Sequence, residues 1–223
     1  MLLKYGLLVL AYLLGSIPFS VILGRKFRGI DVREHGSGNP GGTNSLRFLG
    51  KSIGYSVLIL DGLKAGLIVL LIQLEVFDGS TLFNPLAYGV AAAFGHVYSV
   101  YIKFKGGKAV AATVGIMIAY NPLFAFIMMF AFLISLRIFK YVSASSTIAV
   151  ATGFILGIFA WISGSMISFV GMVSLEPNTY SVALYLGLLL LLVAFRHKKN
   201  FQNIKNGVEP KVKLFDKKKV NSN

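Results

Sequence analysis

Long apolar segments, separated by short polar connections, make up most of the chain. Several of them approach the roughly 20 apolar residues that a helix needs to cross a bilayer. We therefore predict an all-α integral membrane protein, a bundle of seven transmembrane helices. The predicted spans are residues 2–24, 52–75, 84–102, 109–120, 122–138, 143–170 and 179–195. The fourth span is short, and the sixth, with Gly153, Gly157 and Gly164, is long and expected to tilt or kink.

The apolar stretch 109–136 is divided into two helices in this prediction. As a single span it would place the basic residues Lys108 and Arg137 on opposite sides of the membrane. Asn121-Pro122 lies near its middle, where Pro removes a backbone donor and disfavours helix at the preceding residue. A hairpin that turns at Asn121 is therefore predicted.

Positive charge alternates from one connection to the next. Of the 22 Lys and Arg residues, 20 lie in four clusters, at 25–51, 103–108, 137–140 and 196–219. The connections around Asp78, Asn121 and Glu176 have none. Because cytoplasmic loops retain Lys and Arg and translocated loops lack them, the clusters mark the cytoplasmic side. With seven spans, the N-terminus lies outside and the C-terminus in the cytoplasm.

The composition agrees with a membrane protein. The chain is 56% hydrophobic and 13% charged, with a mean hydropathy of +0.74, which leaves too little polar surface for a soluble globule of 223 residues. Residues 1–210 are expected to form one transmembrane domain and residues 211–223 a basic, disordered cytoplasmic tail. The N-terminal stretch resembles a signal peptide, but no A-x-A-like site follows it, so we expect an uncleaved first span.

The net charge of +14 points to membrane lipid rather than nucleic acid as a partner. The basic residues adjoin apolar spans, where anionic headgroups attract each of them by about 1 kcal/mol. No nucleic-acid binding is expected. The chain has no Cys, which excludes both a disulfide framework and a thiolate metal site.

A glycine-rich segment, GSGNPGGTNSLR, occupies residues 36–47 in the first basic cluster. Four glycines and a proline in twelve residues argue against a regular helix. Such a loop can turn its backbone N–H groups toward an anion, and the planar guanidinium of Arg47 suits bidentate contact with phosphate. The alternative is a flexible loop of turn residues.

In the second cluster, KFKGGKAVAATVG at residues 103–115, two glycines and a lysine precede a predicted helix. Free N–H groups at a helix N-terminus and a nearby ammonium can bind the same phosphate. This is not a Walker A motif, because Ala109 follows Lys108 and no partner acid for magnesium is evident. The alternative is that Lys103, Lys105 and Lys108 only anchor the protein to lipid headgroups.

In the third cluster, RHKKNFQNIKNGVEPK at residues 196–211, an amphipathic helix would place His197 and Asn200 on one face. His197 is a candidate general base if two anions react here. The default interpretation of His35 and His96 is an ordinary structural role. Within the second span, Asp61 and Lys64 are three residues apart and are expected to compensate each other, as a structural ion pair or in direct catalysis.

Four segments together resemble a known family. They are GSIPFSVILGR at 15–25, GIDVREHGSGNPGGTNSLRFLGK at 29–51, GHVYSVYIKFKGGKAVAATVG at 95–115 and RHKKNFQNIKNGVE at 196–209. In this order they resemble the bacterial membrane glycerol-3-phosphate acyltransferases that use acyl phosphate. The resemblance implies a multi-pass protein of the bacterial inner membrane with its active site facing the cytoplasm.

The implied reaction transfers a fatty acyl group from acyl phosphate to glycerol 3-phosphate. It gives 1-acylglycerol 3-phosphate (lysophosphatidic acid) and phosphate, the first acylation in phospholipid synthesis. The resemblance implies no metal or nucleotide cofactor, and it makes the soluble enzyme that produces acyl phosphate a candidate partner.

The resemblance also implies site residues. The catalytic residues are Ser37, Arg47, His197 and Asn200. The residues that bind substrate or its phosphate are Gly36, Gly38, Asn39, Gly41, Thr43, Asn44, Lys105, Gly106, Gly107 and Lys108. Glu209 matches a position linked to structural integrity, and we group Asp61 and Lys64 with it as structural.

The expected mechanism brings two anions together. Acyl phosphate is already activated, so Arg47 and Lys108 would neutralise and orient the two phosphates. The hydroxyl proton passes to His197 or to a substrate phosphate oxygen. Ser37 is expected to donate a hydrogen bond rather than to carry the acyl group, because no Ser-His-Asp arrangement can be read from the sequence.

Two other function classes stay open at this stage. A transporter of phosphorylated metabolites would also need loops for anions, although the chain shows no internal repeat and no mid-span charge besides Asp61 and Lys64. A lipid-binding or scaffold protein would tolerate replacement of Arg47 and His197 without loss of function.

Overall fold

The computed structural model describes residues 2–77, 81–163 and 180–212, and every regular element in that part of the chain is helical. The α-helices are α1 (Leu2–Ser16), α2 (Phe19–Arg28), α3 (Gly42–Phe48), α4 (Lys51–Gln73), α5 (Pro85–Val97), α6 (Val110–Tyr120), α7 (Pro122–Phe139), α8 (Val142–Ser163), α9 (Tyr180–Arg196) and α10 (Lys198–Lys205). Short 3-10 turns lie at Val32–Glu34 and Val100–Ile102. The all-α prediction is confirmed.

In the part of the chain that the structure describes, four helical segments are apolar and long enough to cross a membrane. They are Leu2–Arg28, Lys51–Gln73, Pro122–Phe139 and Val142–Ser163. The pair α9 and α10, which meet at a bend of 52°, gives a fifth candidate. Helices α5 and α6 have 13 and 11 residues, fewer than the roughly 20 of a full crossing. The seven-span count and the orientation of the termini therefore stay predictions.

The hairpin predicted at Asn121 is confirmed. Helix α6 ends at Tyr120 and α7 begins at Pro122. The Asn121 side-chain oxygen accepts hydrogen bonds from the backbone N–H groups of Leu123 and Phe124, at 3.1 and 3.2 Å. This N-cap, together with a proline at the first helical position, fixes the start of α7.

Three predicted segments differ from the observed ones. The first span is interrupted between α1 and α2, because Pro18 has no N–H for the helical ladder. In the predicted span 84–102 the helix ends at Val97, because the following loop folds back and donates hydrogen bonds to the last carbonyls of α5. The glycine-rich segment 36–47 is irregular only to Gly41, because the residues after Gly42 include no further glycine or proline and form α3.

Two further predictions lie partly outside the described residues. Helix α8 is described to Ser163, so the rest of the predicted span 143–170, with Gly164, lies outside them, as do Asp78 and Glu176. The predicted tail starts at residue 211, yet Val212 donates a backbone hydrogen bond to the Lys140 carbonyl at 2.8 Å. The first two tail residues are thus bound to the α7–α8 connection, and residues 213–223 are outside the described part.

Small residues bring the helices into close contact. A Cβ atom on Gly115 of α6 would lie 2.0 Å from the Gly62 carbonyl oxygen of α4, and one on Gly95 of α5 would lie 2.1 Å from the Tyr12 carbonyl oxygen of α1. Such contacts let helix backbones approach closely, which is how helices associate in lipid. The packing places the α5–α6 loop beside the first glycine-rich loop and the α9–α10 junction.

Candidate active site

Lys108 interacts with residues of the other two basic segments that carry predicted site residues. Its ammonium donates a hydrogen bond to Asn200 Oδ1 at 2.5 Å, which joins the second and third basic clusters. Burial lowers the pKa of Lys108, the Glu209 carboxylate opposes this shift, and the positive charges of Arg196 and Arg47 lower the pKa further. Arg47, from the first cluster, therefore also lies within electrostatic reach of this ammonium.

The glycine pair, Gly106 and Gly107, is clamped from both sides. Its two N–H groups donate to the carbonyls of Val97 and His96, at 2.9 and 3.0 Å. Its two carbonyls accept hydrogen bonds from the Arg196 guanidinium, at 3.0 and 3.1 Å. Both N–H groups of the pair are therefore engaged within the protein, because the loop folds back onto the end of α5.

The first turn of α6 presents backbone donors to this cluster. The first N–H groups of a helix have no acceptor within it, and those of α6 start at Val110, next to Lys108. Backbone strain accumulates beside them, since Lys103, Phe104 and Ala109 all have φ between 53° and 60°, a left-handed conformation that non-glycine residues rarely adopt. Strain of this kind concentrates at functional sites.

Glu209 organises the third cluster. One carboxylate oxygen accepts hydrogen bonds from Asn200 Nδ2 at 2.7 Å and from Ser143 Oγ at 3.2 Å. The other accepts a hydrogen bond from Asn203 Nδ2 at 3.4 Å. The carboxylate thus links α10 to the start of α8 and holds the amide that receives Lys108.

Asn44 holds the first glycine-rich loop together. Its buried amide donates to the carbonyls of Val32 and His35, at 3.0 and 2.9 Å, and its oxygen accepts the Ser37 N–H at 3.3 Å. A Cβ on Gly36, which has φ 61°, would lie 2.7 Å from the Asn44 oxygen. The amide group of Asn44 is therefore committed to loop structure.

Other predicted residues of this region have accessible side chains. Ser37, Thr43, Arg47 and Lys105 are exposed, and the Ser37 hydroxyl accepts the Asn39 N–H at 3.4 Å. The remaining predicted glycines shape the loop. Gly38 has φ 68°, and a Cβ on Gly41 would lie 2.8 Å from the Asn39 amide nitrogen.

Arg47 differs from the other arginines of the first cluster. Asp31 is paired with both Arg33 and Arg25, at 2.6 and 2.9 Å, and the bonded guanidinium of Arg33 is the main reason that the pKa of Asp31 lies well below its usual range. Arg28 donates to the Leu49 carbonyl. The Arg47 guanidinium has no hydrogen bond or ion pair to any residue in the described part of the chain, so it is available for an external anion.

His197 lies between α9 and α10 and is buried. Its Nδ1 is 2.8 Å from the Val193 carbonyl oxygen, which can only accept, so Nδ1 carries a proton. Burial lowers the pKa of His197 to about 4, although its bond to Val193 and the Glu209 charge act in the other direction. The ring is therefore neutral at neutral pH, with Nε2 as its basic nitrogen.

This shift predicts how activity changes with pH. Above a pKa of about 4 the imidazole stays neutral, so the ratio of wild-type kcat/KM to that of His197→Gln should be constant between about pH 5 and pH 8. Steady-state kinetics of both proteins across this range measure the ratio. A wild-type advantage that disappears with a midpoint near the ordinary value of about 6.5 would contradict the predicted shift.

Sequence reasoning missed three contributors: Ser143, Arg196 and His96. Ser143 lies at the start of one apolar segment and Arg196 at the end of another, where a single polar residue gives no signal of its partner. His96, assigned an ordinary role, lies with its Nδ1 3.6 Å from the Asp61 carboxylate, which also pairs with Lys64 at 2.7 Å. Within residues 2–77, 81–163 and 180–212, no group of three His, Cys, Asp or Glu residues could hold a metal ion.

Comparisons with known proteins cover nearly the whole chain. The family model described as glycerol-3-phosphate acyltransferase matches residues 5–207. A glycerol-3-phosphate acyltransferase of Bacillus cereus (strain G9842) is 40% identical over 215 residues, which are 96% of this chain and 98% of the relative. One from Geobacillus kaustophilus (strain HTA426) is 41% identical over 93% of this chain and 95% of its own length.

Two crystal structures have the same fold. Both are of PlsY (YgiH), an integral membrane glycerol 3-phosphate acyltransferase. The glycerol 3-phosphate form is 32% identical, with a TM-score of 0.77, and covers 94% of this chain and 95% of its own. The lysophosphatidic acid form is 31% identical, with a TM-score of 0.77, and covers 93% and 94%.

Proposed function

The chain belongs to the glycerol-3-phosphate acyltransferase family, and we propose that it takes its acyl group from a fatty acyl phosphate. It is an integral membrane enzyme of phospholipid biosynthesis, and glycerol 3-phosphate is its substrate. The identity of the donor and the proposed product, 1-acylglycerol 3-phosphate, go beyond family membership.

The proposed reaction is a direct displacement. The primary hydroxyl oxygen of glycerol 3-phosphate attacks the acyl carbonyl carbon, the bond from that carbon to the phosphate oxygen breaks, and inorganic phosphate leaves with the electron pair. The hydroxyl proton passes to a phosphate oxygen. The donor is already activated, so the protein needs to supply position and charge rather than a covalent intermediate.

One observation carries this proposal: two cations from separate segments, Arg47 and Lys108, lie within electrostatic reach of each other. Arg47 has no partner in the described part of the chain, and Lys108 is held in place by Asn200. Two phosphate-bearing substrates repel each other, and two cations from different loops can hold one phosphate each. A thioester donor has no phosphate at its reacting carbonyl, so it would leave one of the two cations without a phosphate to bind.

The protonation of His197 supports a substrate phosphate as the proton acceptor. A phosphate monoester has a second pKa of about 6, above the value of about 4 for His197. The phosphate oxygen is therefore the stronger base. The proposed role of His197 is to contact substrate through Nε2, and that of the exposed Ser37 hydroxyl is to donate a hydrogen bond to phosphate or to the developing oxyanion.

The proposed setting follows from the charge pattern. Seven spans, an outside N-terminus and a cytoplasmic C-terminus would place all four basic clusters, and hence the site, on the cytoplasmic face of the bacterial inner membrane. A soluble enzyme could then deliver acyl phosphate directly, and the acyl chain would enter from the bilayer.

The decisive experiment measures phosphate release from palmitoyl phosphate by purified protein, with and without glycerol 3-phosphate, and product formation from palmitoyl thioesters. We expect release that requires glycerol 3-phosphate, no product from thioesters, and a decrease of about 10–100-fold in Arg47→Ala, because bonds to charged groups are worth about 1.5–3 kcal/mol. Arg25→Ala is the matched control, since it leaves Asp31 paired with Arg33.

Several results would overturn the proposal. Product from a thioester without acyl phosphate would replace the donor. An acyl-Ser37 adduct would replace direct displacement. Uptake of glycerol 3-phosphate into liposomes, with no product from any donor, would make the transporter the better interpretation.

A further inference from the structure

Three ionisable side chains are buried together inside the bundle, and the proposed reaction does not use them. Asp61 and Lys64 of α4 and His96 of α5 are only 2%, 7% and 7% exposed. We call them the buried polar unit. Lys64 Nζ and His96 Nδ1 lie 2.7 and 3.6 Å from the same Asp61 oxygen. Placing charges at this depth is costly, which makes a role beyond filling space the expected one.

On one side, the buried polar unit supports the break between α1 and α2. The Lys64 ammonium donates a hydrogen bond to the Ile17 carbonyl at 2.6 Å. That carbonyl is displaced from the helical ladder, because Val21 N–H bonds to the Pro18 carbonyl instead. Nearby, Ser99 donates to the Ser16 carbonyl. The unit therefore joins three helices at a place where the backbone is irregular.

On its other side, the buried polar unit packs against the glycine pair. A Cβ atom on Gly107 would lie 2.1 Å from His96 Nε2, and its three nearest atoms all belong to the imidazole ring. A cavity of about 10 Å³ between the unit and the glycine pair is also lined by Pro40 of the first loop. Lys108, the next residue along the chain, carries the ammonium that faces Asn200.

We propose that Asp61, Lys64 and His96 are positioning residues for glycerol 3-phosphate. The His96 ring packs against the glycine pair and sets its position, while Arg196 donates hydrogen bonds to the two carbonyls of the pair. Asp61 fixes that ring, and Lys64 ties both to the α1–α2 break. The unit acts through Lys108 and does not itself touch substrate. The inference rests on the proposed role of Lys108 in binding a substrate phosphate.

The test is a double-mutant cycle on the contact between His96 and Gly107. Gly107→Ala places a methyl group against the ring and should lower kcat/KM for glycerol 3-phosphate about 10²-fold, as expected for a displacement near 1 Å. His96→Ala should raise KM for glycerol 3-phosphate about 10-fold, because the glycine pair loses the imidazole ring that it packs against. In the double variant the methyl group fits the vacated space, so its loss should match that of His96→Ala alone.

Two further measurements separate positioning from folding. Gly153→Ala, which crowds Met128 in the α7–α8 contact away from the loops, should lower the melting temperature without changing KM. Asp61→Asn should raise KM for glycerol 3-phosphate in the folded fraction, as His96→Ala does. If His96→Ala does not fold, His96→Asn takes its place in the cycle.

The inference fails if the losses of the two single variants multiply in the double variant. It also fails if the Asp61 and His96 variants change only the melting temperature, as Gly153→Ala does. The rise in melting temperature caused by glycerol 3-phosphate needs no acyl donor. Comparing this rise among the variants therefore decides the inference even if acyl phosphate proves to be the wrong donor.

Discussion

Replacing Lys108 by Met should lower kcat/KM for glycerol 3-phosphate by about 10²–10³-fold, because removing one partner of a buried, hydrogen-bonded charge pair costs about 2–5 kcal/mol. Met keeps the aliphatic part of the side chain and removes the ammonium. That ammonium is already held by Asn200 and already partly buried, so it has no reorganisation left to undergo when substrate binds. Steady-state kinetics with varied glycerol 3-phosphate measure the effect.

Lys103→Met is the matched control for this prediction. Lys103 is an exposed lysine of the same loop, so its replacement removes the same net charge near the membrane surface. We expect it to change kcat/KM by less than about threefold, as a screened surface charge would. Equal losses in the two variants would mean that general surface charge, and not the position of Lys108, attracts the substrate.

The parts of the fold that sequence predicted correctly depend on local chemistry. The turn at Asn121 follows from the missing N–H of Pro122 and from an Asn side chain that caps the next helix. Helix α10 follows from the three- and four-residue spacing of His197, Asn200 and their neighbours. In both cases the deciding interactions join residues a few positions apart.

The hydrogen bonds of the glycine pair in the second cluster could not be predicted, for the opposite reason. Whether an N–H group is free depends on which carbonyl lies opposite it. Here the loop folds back, and both N–H groups of the glycine pair donate to carbonyls at the end of α5. Arg196 reaches the carbonyls of the same pair from about 90 positions away. No local pattern contains such contacts, so a phosphate loop and a clamped loop look alike in the sequence.

The buried residues of the site were hard to predict because their partners lie on other helices. Ser143 is one hydroxyl among several at the start of α8, and only the position of Glu209 distinguishes it. The pairing of Asp61 and Lys64 could be predicted from their spacing on α4, whereas the addition of His96 required the packing of α4 against α5.

Glu209→Ala should reduce both stability and activity, because one carboxylate supports two helices. Its loss leaves Asn200, Asn203 and Ser143 without their acceptor. Ser143 is buried, and an unsatisfied buried polar group costs about 1–3 kcal/mol. We expect a lower melting temperature. Asn200, which receives the Lys108 ammonium, is no longer held, so kcat/KM should fall about 10²-fold.

Glu209→Gln separates these two effects. The Gln oxygen can still accept from Asn200 or Ser143, so most of the stability should return. The charge that opposes the lowered pKa of Lys108 does not return, and the Gln NH₂ meets the donor of Asn203. Activity should therefore stay well below that of wild type. Glu34→Ala, which removes an exposed carboxylate near the first loop, should leave both properties unchanged. Full activity in Glu209→Ala, measured on folded protein, would show that the link from Lys108 through Asn200 to Glu209 does not position the substrate.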